Sequence, residues 1–335
     1  MRARLADIAA QAGVSEATVS RVLNGKPGVS PATREAVLTA LDVLGYERPL
    51  RLRRRSAGLV GLILPELDNP IFPAFAQVIE SGLAQQGYTA VLCTSRPGSH
   101  SEDEYTELLL ERGVSGIVFV SGLHADATTE PVRYQRLADR GLPIALINGY
   151  LPGVEAPFIS TDDEAAMELA VAHLSDLGHT RLGLAVGPER YVPTARKITG
   201  FRRALKTELP EGPAGTVETS LFTVEGGAAA ANALLDAGVT AIVCGSDLMA
   251  LGAIRAVRQR GLRVPEDVSV VGFDDSPLIP FTDPPLTTIR QAVPAMGQAA
   301  VQALLDRISG ATAPCSEFLF RPELVVRGST GPTPV

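Results

Sequence analysis

Apolar residues at Leu5, Ile8, Ala9 and Ala12 recur at i, i+3, i+4 and i+7, so they line one face of a short helix, which Gly13-Val14 breaks. A second short helix follows with Ser15 as its N-cap. Ala17, Val19, Val22 and Leu23 form one of its faces, and Glu16, Ser20 and Arg21 form the other. A third helix is predicted from Pro31 to Leu44, opened by Ser30 as N-cap with Pro31 in the first helical position and stopped by Gly45. Its Ala36, Val37, Ala40, Leu41 and Leu44 supply the core that braces the first two. Two short helices about a tight glycine turn, the second with a polar outer face, make the helix-turn-helix plan that lays its second helix in the DNA major groove.

From Leu59 the period changes to buried strands alternating with amphipathic helices. GLVGLILP, YTAVLC, SGIVFV and LPIALIN read as strands, separated by helices over 73–86, 102–112 and 131–140. A second series reads FIS, RLGLAV, TVETS, TAIVC and VSVVGF, with helices over 162–177, 193–207, 224–236 and 247–260. A repeated βα plan of this kind gives parallel sheets, and neither half is long enough for a barrel. After Phe273 come a Pro-rich loop, LTTIR, a helix over 293–309 and the strands FLFR and ELVVR, read as returns of the chain to the first unit through crossovers near Ser160, Ile289 and Arg321. The last nine residues read as frayed.

The predicted fold is therefore α/β, a three-helix headpiece on a two-lobed, periplasmic-binding-protein-like core whose ligand cleft lies at the carboxyl ends of the strands. Its divisions are a head over 1–46, an Arg-rich linker over 47–58, an N-terminal lobe over 59–160 with 290–320, and a C-terminal lobe over 161–289 with 321–328.

Composition sharpens this picture. The 335 residues are 45% hydrophobic, enough for sizeable cores, and the net charge of -7 is unevenly spread. Residues 1–58 hold ten Lys/Arg against five Asp/Glu, whereas the remainder holds 20 against 32, so a head of +5 sits on a body of -12. A basic small domain on an acidic body suits a phosphate-binding head whose body does not lie on DNA. No stretch reaches membrane-spanning length and no apolar run follows Arg2 and Arg4, so a cytoplasmic protein, nucleoid-associated when on DNA and with no membrane partner, is expected. Cys93, Cys244 and Cys315 are far apart and read as buried free thiols, with neither a disulfide framework nor a metal site.

The run AGVSEATVSRVLNGKPGVSPATREAV, followed by a helix ending at Leu44-Gly45-Tyr46, resembles the headpiece of the lac-repressor (LacI/GalR) family of bacterial transcription regulators. LSDLGHTRLGL and SDLMALGAIRAVRQRGLRVPEDVSVVGFDD extend the resemblance through the body. It implies base reading by Glu16, Ala17 and Arg21, and the chemistry agrees: arginine pairs with guanine O6/N7, glutamate accepts from cytosine N4 and alanine touches a thymine methyl. Ser15, Thr18, Ser20 and Asn24 complete the expected DNA surface, the last three suited to phosphates, which position without specifying. Arg4 stands where the family usually has a capping Thr. The linker YERPLRLRRRSAG departs further, being shorter than the family's and Arg-rich where a hinge helix is usual. Leu50 or Leu52 is the candidate minor-groove wedge, and Arg53 with its neighbours Arg51, Arg54 and Arg55 the candidates for backbone or minor-groove contact.

For the cleft, the resemblance implies contacts from Asn69, Ile71 and Phe72 after the first strand, Asn148, Arg196, Lys197, Phe222, Ser246, Asp247 and Asp274. A phenylalanine face suits a sugar's C–H surface, amides bond hydroxyls, and a carboxylate in a partly desolvated cleft accepts two of them. Lys197 occupies a slot where the family has Arg, and with no Trp in the chain any stacking falls to Phe or Tyr.

Catalysis is not expected. His100, His124, His173 and His179 are neither paired with a nucleophile nor spaced as metal ligands, and the chain has neither a GxxxxGK[ST] loop nor a GxGxxG after a strand. No cofactor is called for. The sequence points to a sequence-specific DNA-binding regulator, a repressor on a palindromic operator, working as a homodimer or a larger assembly under a small effector for which the family implies a carbohydrate. A corepressor-dependent regulator or activator, and a solute-binding receptor without a transcriptional role, are the alternatives.

Overall fold

The computed structural model describes residues 5–24, 26, 28–44, 57–95, 100–311 and 314–334. The chain divides into two units, 1–57 and 58–335. In the first, α1 (Leu5–Ala12), α2 (Glu16–Leu23) and α3 (Pro31–Val43) close on a core of Ile8, Ala9, Val19, Val22, Val37, Ala40 and Leu41. Gly13 takes φ 64°, a left-handed conformation that turns the chain between α1 and α2 and lets the Val14 amide reach the Ala9 carbonyl at 3.0 Å. Both serine caps form: Ser15 Oγ accepts from the Thr18 amide at 3.2 Å and Ser30 Oγ from the Thr33 amide at 3.1 Å. Three side chains differ from the expected pattern. Leu5 is exposed at the start of α1, Ala17 is exposed on the outer face of α2, and Leu44, which caps α3 one residue after its last turn, is exposed rather than buried.

The second unit holds two six-stranded sheets. The first contains β1 (Gly58–Leu64), β2 (Tyr88–Thr94), β3 (Gly116–Val120), β4 (Ile144–Ile147), β5 (Phe158–Thr161) and β11 (Glu317–Phe320) in the order β11-β5-β4-β3-β1-β2, all parallel. The second contains β6 (Leu182–Val186), β7 (Thr216–Thr219), β8 (Ala241–Cys244), β9 (Ser269–Asp274), β10 (Thr287–Arg290) and β12 (Glu323–Val325) in the order β12-β10-β9-β8-β6-β7, parallel except that β12 runs antiparallel to β10.

Alternate residues of each strand feed cores on opposite faces. Val60, Leu62 and Leu64 of β1 meet α4 (Ile71–Gln85) and α11 (Val293–Ile308), while Ile63 faces α5 (Glu102–Glu111) and α6 (Val132–Asp139). The second sheet lies between α7 (Asp163–Asp176) with α8 (Val192–Glu208) and α9 (Val224–Asp236) with α10 (Asp247–Gln259).

Four expectations need correction. FIS, read as opening the second series, is β5 and pairs with β4 and β11 in the first sheet. LTTIR and ELVVR, read from their pattern as returns to the first unit, are β10 and β12 and stay in the second sheet, in keeping with the lobe bounds 161–289 and 321–328; only α11 and β11 return. A strand's own pattern reports burial but not its partner, and these assignments follow from pairings such as Thr287 with Val271. The chain's end is tied down rather than frayed. Ser329 is buried and bonds the Val270 carbonyl at 2.6 Å, Gly331 meets His179, and the Thr333 amide reaches the Leu177 carbonyl at 2.9 Å. Cys93 and Cys244 are buried free thiols, but Cys315 is exposed, because it precedes an edge strand.

Candidate functional site

On the head, α2 presents Glu16, Ala17 and Arg21 to solvent on one face while Val19 and Val22 are fully buried beneath them. This burial fixes the helix by its inner side and leaves the three side chains free to meet base edges. The small polar residues are partly engaged within the helix. Ser15 Oγ lies 2.9 Å from Thr18 Oγ1, and Asn24 Nδ2 donates to the Ser20 carbonyl at 2.8 Å and to Ser20 Oγ at 3.3 Å, closing the last turn. Leu50, Leu52 and Arg53 lie outside the described residues, as do Arg4 and Gly45.

A cavity of about 260 Å³ lies between the lobes of the second unit, at the carboxyl ends of the strands. Asn69, Ile71, Phe72 and Asn148 line it from the first lobe and Lys197, Phe222, Ser246 and Asp274 from the second, so eight of the ten residues singled out in the sequence meet there. Phe222 owes its position to glycine: a Cβ at Gly187 would fall 1.9 Å from its ring. Asp274 ends β9 and is buried; its Oδ1 accepts from Gln291 Nε2 at 2.7 Å, and its Oδ2 has no hydrogen-bond partner among the described residues. Burial, reinforced by the nearby charge of Asp247, holds its carboxyl well above the usual range.

Lys197 is buried with its Nζ on Asp163 Oδ1 and 3.8 Å from the centroid of the Phe273 ring. Burial raises the Asp163 carboxyl, an effect that the Lys197 ammonium opposes.

The other two predicted contacts are held outside the cavity. Arg196 makes a two-pronged ion pair with Glu317 of the first lobe, at 2.7 and 2.8 Å, and so spends its fork on joining the lobes. Asp247 sits behind the floor, where its Oδ1 accepts from Thr288 Oγ1 at 2.6 Å and its Oδ2 from the Ser276 amide at 2.7 Å. It fastens the loop that follows Asp274, and burial pushes its carboxyl up to about 6.

Ser121, Asp163, Tyr191 and Gln291 also line the cavity, and the sequence reading passed over them. Asp163 lies in the first turn of α7 beside the N-cap Asp162, and Gln291 lies in a crossover with no motif. Ser121, Asn148 and Asp274 share a feature that no composition reveals: all have positive φ, at 47°, 62° and 122°, and with Asp275 they are the non-glycine residues of that kind among those described. Backbone strain gathered at three strand ends around one cavity marks a site whose side chains are aimed at the cost of local energy.

No group of three or more His, Cys, Asp or Glu able to hold a metal occurs among the described residues, and no helix there is long and apolar enough to cross a membrane.

A capped helix-turn-helix head followed by two α/β lobes around a cleft of mixed polar and apolar lining defines a DNA-binding regulator with a periplasmic-binding-protein-like body. Residues 4–48 match the bacterial regulatory proteins of the lacI family, and residues 171–330 match the periplasmic binding protein-like domain. The chain is 66% identical, over its whole length and 98% of the relative's, to the HTH-type transcriptional regulator reg1 of Streptomyces lividans. Among solved structures it is similar to a transcriptional regulator CelR–cellobiose complex, with 33% identity, a TM-score of 0.71 and coverage of 98% of this chain and 100% of that one. It is likewise similar to the lac repressor dimer bound to operator and the anti-inducer ONPF, with 30% identity, a TM-score of 0.72 and coverage of 99% and 100%. The chain belongs to the lacI family of bacterial regulatory proteins and is a transcriptional regulator with a DNA-binding domain.

Proposed function

We propose that this regulator is a cytoplasmic repressor that binds a palindromic operator as a dimer and is controlled by a carbohydrate in the interlobe cleft. The observation that carries the effector reading is the unpartnered Oδ2 of Asp274, buried at the wall of a cavity that also offers Asn69, Asn148 and Lys197 for hydroxyls and Phe72 and Phe222 for an apolar sugar face. An orphaned buried acceptor is costly until a donor arrives, and a polyol brings several. The cellobiose seated in the similar CelR structure supports this class of ligand.

One headpiece reads too few base pairs for a selective site, which favours a two-fold dimer. Leu221, Leu278 and Phe281, the last 84% exposed, give the second lobe apolar surface for a subunit contact. Arg21 and the Arg-rich linker around Leu50, Leu52 and Arg53 are the groups we assign to base, minor-groove and phosphate contact.

The test is calorimetry with glucose, cellobiose, cellotriose and their α-linked counterparts on wild type and Asp274→Asn. Loss of this carboxyl oxygen is expected to weaken the bound saccharide by roughly 2 kcal/mol, about thirtyfold, with DNA affinity unchanged. Unaltered saccharide affinity in the variant removes Asp274 from the effector site.

A further inference from the structure

Ala125 and Tyr191 line the cavity from opposite lobes, and the chain beside them joins the lobes directly. Asp126 and Tyr191 form an antiparallel bridge, and the Ala127 amide donates to the Arg190 carbonyl at 2.8 Å. Asp126 is prepared for this contact by its own loop. Its Oδ1 accepts from the Thr128 amide at 2.9 Å and hydroxyl at 2.6 Å, which turns Oδ2 toward Arg190 Nε at 2.9 Å. The same guanidinium lies over the Tyr191 ring, 4.7 Å from its centroid, and donates to the Tyr191 hydroxyl at 3.0 Å. Arg190 thus grips the first lobe with one edge and Tyr191 with the rest of its fork, while itself standing outside the cavity.

We propose that Arg190 is a positioning residue of the cleft: pinned to Asp126 across the lobes, it holds Tyr191 as a door and sets how fast an effector enters and leaves. The effector half of this statement rests on the carbohydrate reading above, whereas the door itself does not. Its strength suits a door rather than a lock. Arg190 is half exposed, so its ion pair and its ring contact are each weak and the former is screened by salt. The closed form is favoured yet opens readily. The Arg196–Glu317 pair remains as a second tie between the lobes when it does. A saccharide that outgrows the cavity must hold the door ajar, so the door also discriminates by ligand length.

The Ala127 amide reports the door without any ligand, because its hydrogen bond crosses the lobes. Hydrogen exchange on the full chain is expected to be about fivefold faster at Ala127 in Arg190→Gln and in Asp126→Asn than in wild type, with Arg190→Lys between them and the amides of β1 and β3 unchanged. In stopped-flow binding of cellobiose and cellotriose, association and dissociation are expected to rise together in these variants, with a smaller change in affinity and the larger gain for cellotriose. Equal exchange at Ala127 in wild type and both charge variants overturns the door. Faster exchange with no saccharide bound by any form leaves the door standing and overturns the carbohydrate reading instead. Faster exchange with unchanged binding kinetics overturns the role assigned to Arg190 in effector traffic.

Discussion

Asp163 and Asp274 flank one buried ammonium, that of Lys197, Asp247 lies close to Asp274, and burial raises the pKa of all three carboxyls. The arrangement divides labour by environment: Asp163 is paired with Lys197 through Oδ1, Asp247 is satisfied by Ser276 and Thr288, and Asp274 keeps a fully buried oxygen with no hydrogen-bond partner among the described residues. A second buried cluster likewise leaves one atom, His124 Nδ1, without a hydrogen-bond partner among the described residues. His124 Nε2 donates to the Ile147 carbonyl at 2.9 Å, and the Tyr134 hydroxyl accepts from the His124 amide at 2.9 Å and donates to Glu102 Oε1 at 2.5 Å. Burial lowers the His124 pKa from 6.5 to about 4, so the imidazole is neutral in the fold and more basic in the unfolded chain. Its contribution to stability is present above pH 6.5 and lost as pH falls toward 4, about 3 kcal/mol in all. Asp247 has the opposite sign, its contribution being present below pH 4 and lost as pH rises through 6, so the two overlap and only a difference isolates the histidine. Urea titrations of wild type and His124→Gln between pH 7 and 5 are expected to converge as the medium becomes more acidic. Parallel stability curves contradict the buried-neutral assignment.

Among the elements, α2 carries its function on a face defined by what it does not bury. The caps Ser15 and Ser30 were legible, because an N-cap is written in one side chain and the helix after it, whereas Thr223 and Ser246, which cap α9 and α10, were not read as caps. The βα alternation was equally plain. What the strand patterns withheld was partnership: FIS and LTTIR are short strand-like runs that fit either sheet, and only hydrogen bonding to β4 or β9 decides between them. The cleft was half legible for a similar reason. Asn148 and Asp274 could be placed at strand ends, but the direction in which Arg196 and Asp247 point depends on Glu317, Thr288 and Ser276, distant in sequence. At the head, Ala17 was grouped with the inward face by spacing alone and lies outward, beside Glu16 and Arg21. Arg21→Ala is expected to relax preference at one base pair by about 1–3 kcal/mol while leaving the fold intact. An unchanged base profile in an in vitro selection of binding sites removes Arg21 from base reading.

At the scale of the molecule, charge and topology divide the work. The head carries the positive excess and the body the negative, so phosphate attraction is confined to one end of the chain. The body's two lobes are joined by the chain leading on from β5, β10 and β11, and the cavity, the Arg190 door and the Arg196 pair all lie across that boundary. A ligand that prefers one lobe arrangement shifts the population by its differential affinity and by no more, and DNA binding must shift reciprocally. The measurement that tests this most directly is fluorescence anisotropy of a duplex from the DNA flanking the protein's own gene, titrated with the full chain and then with each saccharide. Tight, salt-sensitive binding released by one saccharide, and not released from the Asp274→Asn variant, is the predicted result. Binding that tightens on adding a saccharide, or that no saccharide alters, contradicts a sugar-released repressor.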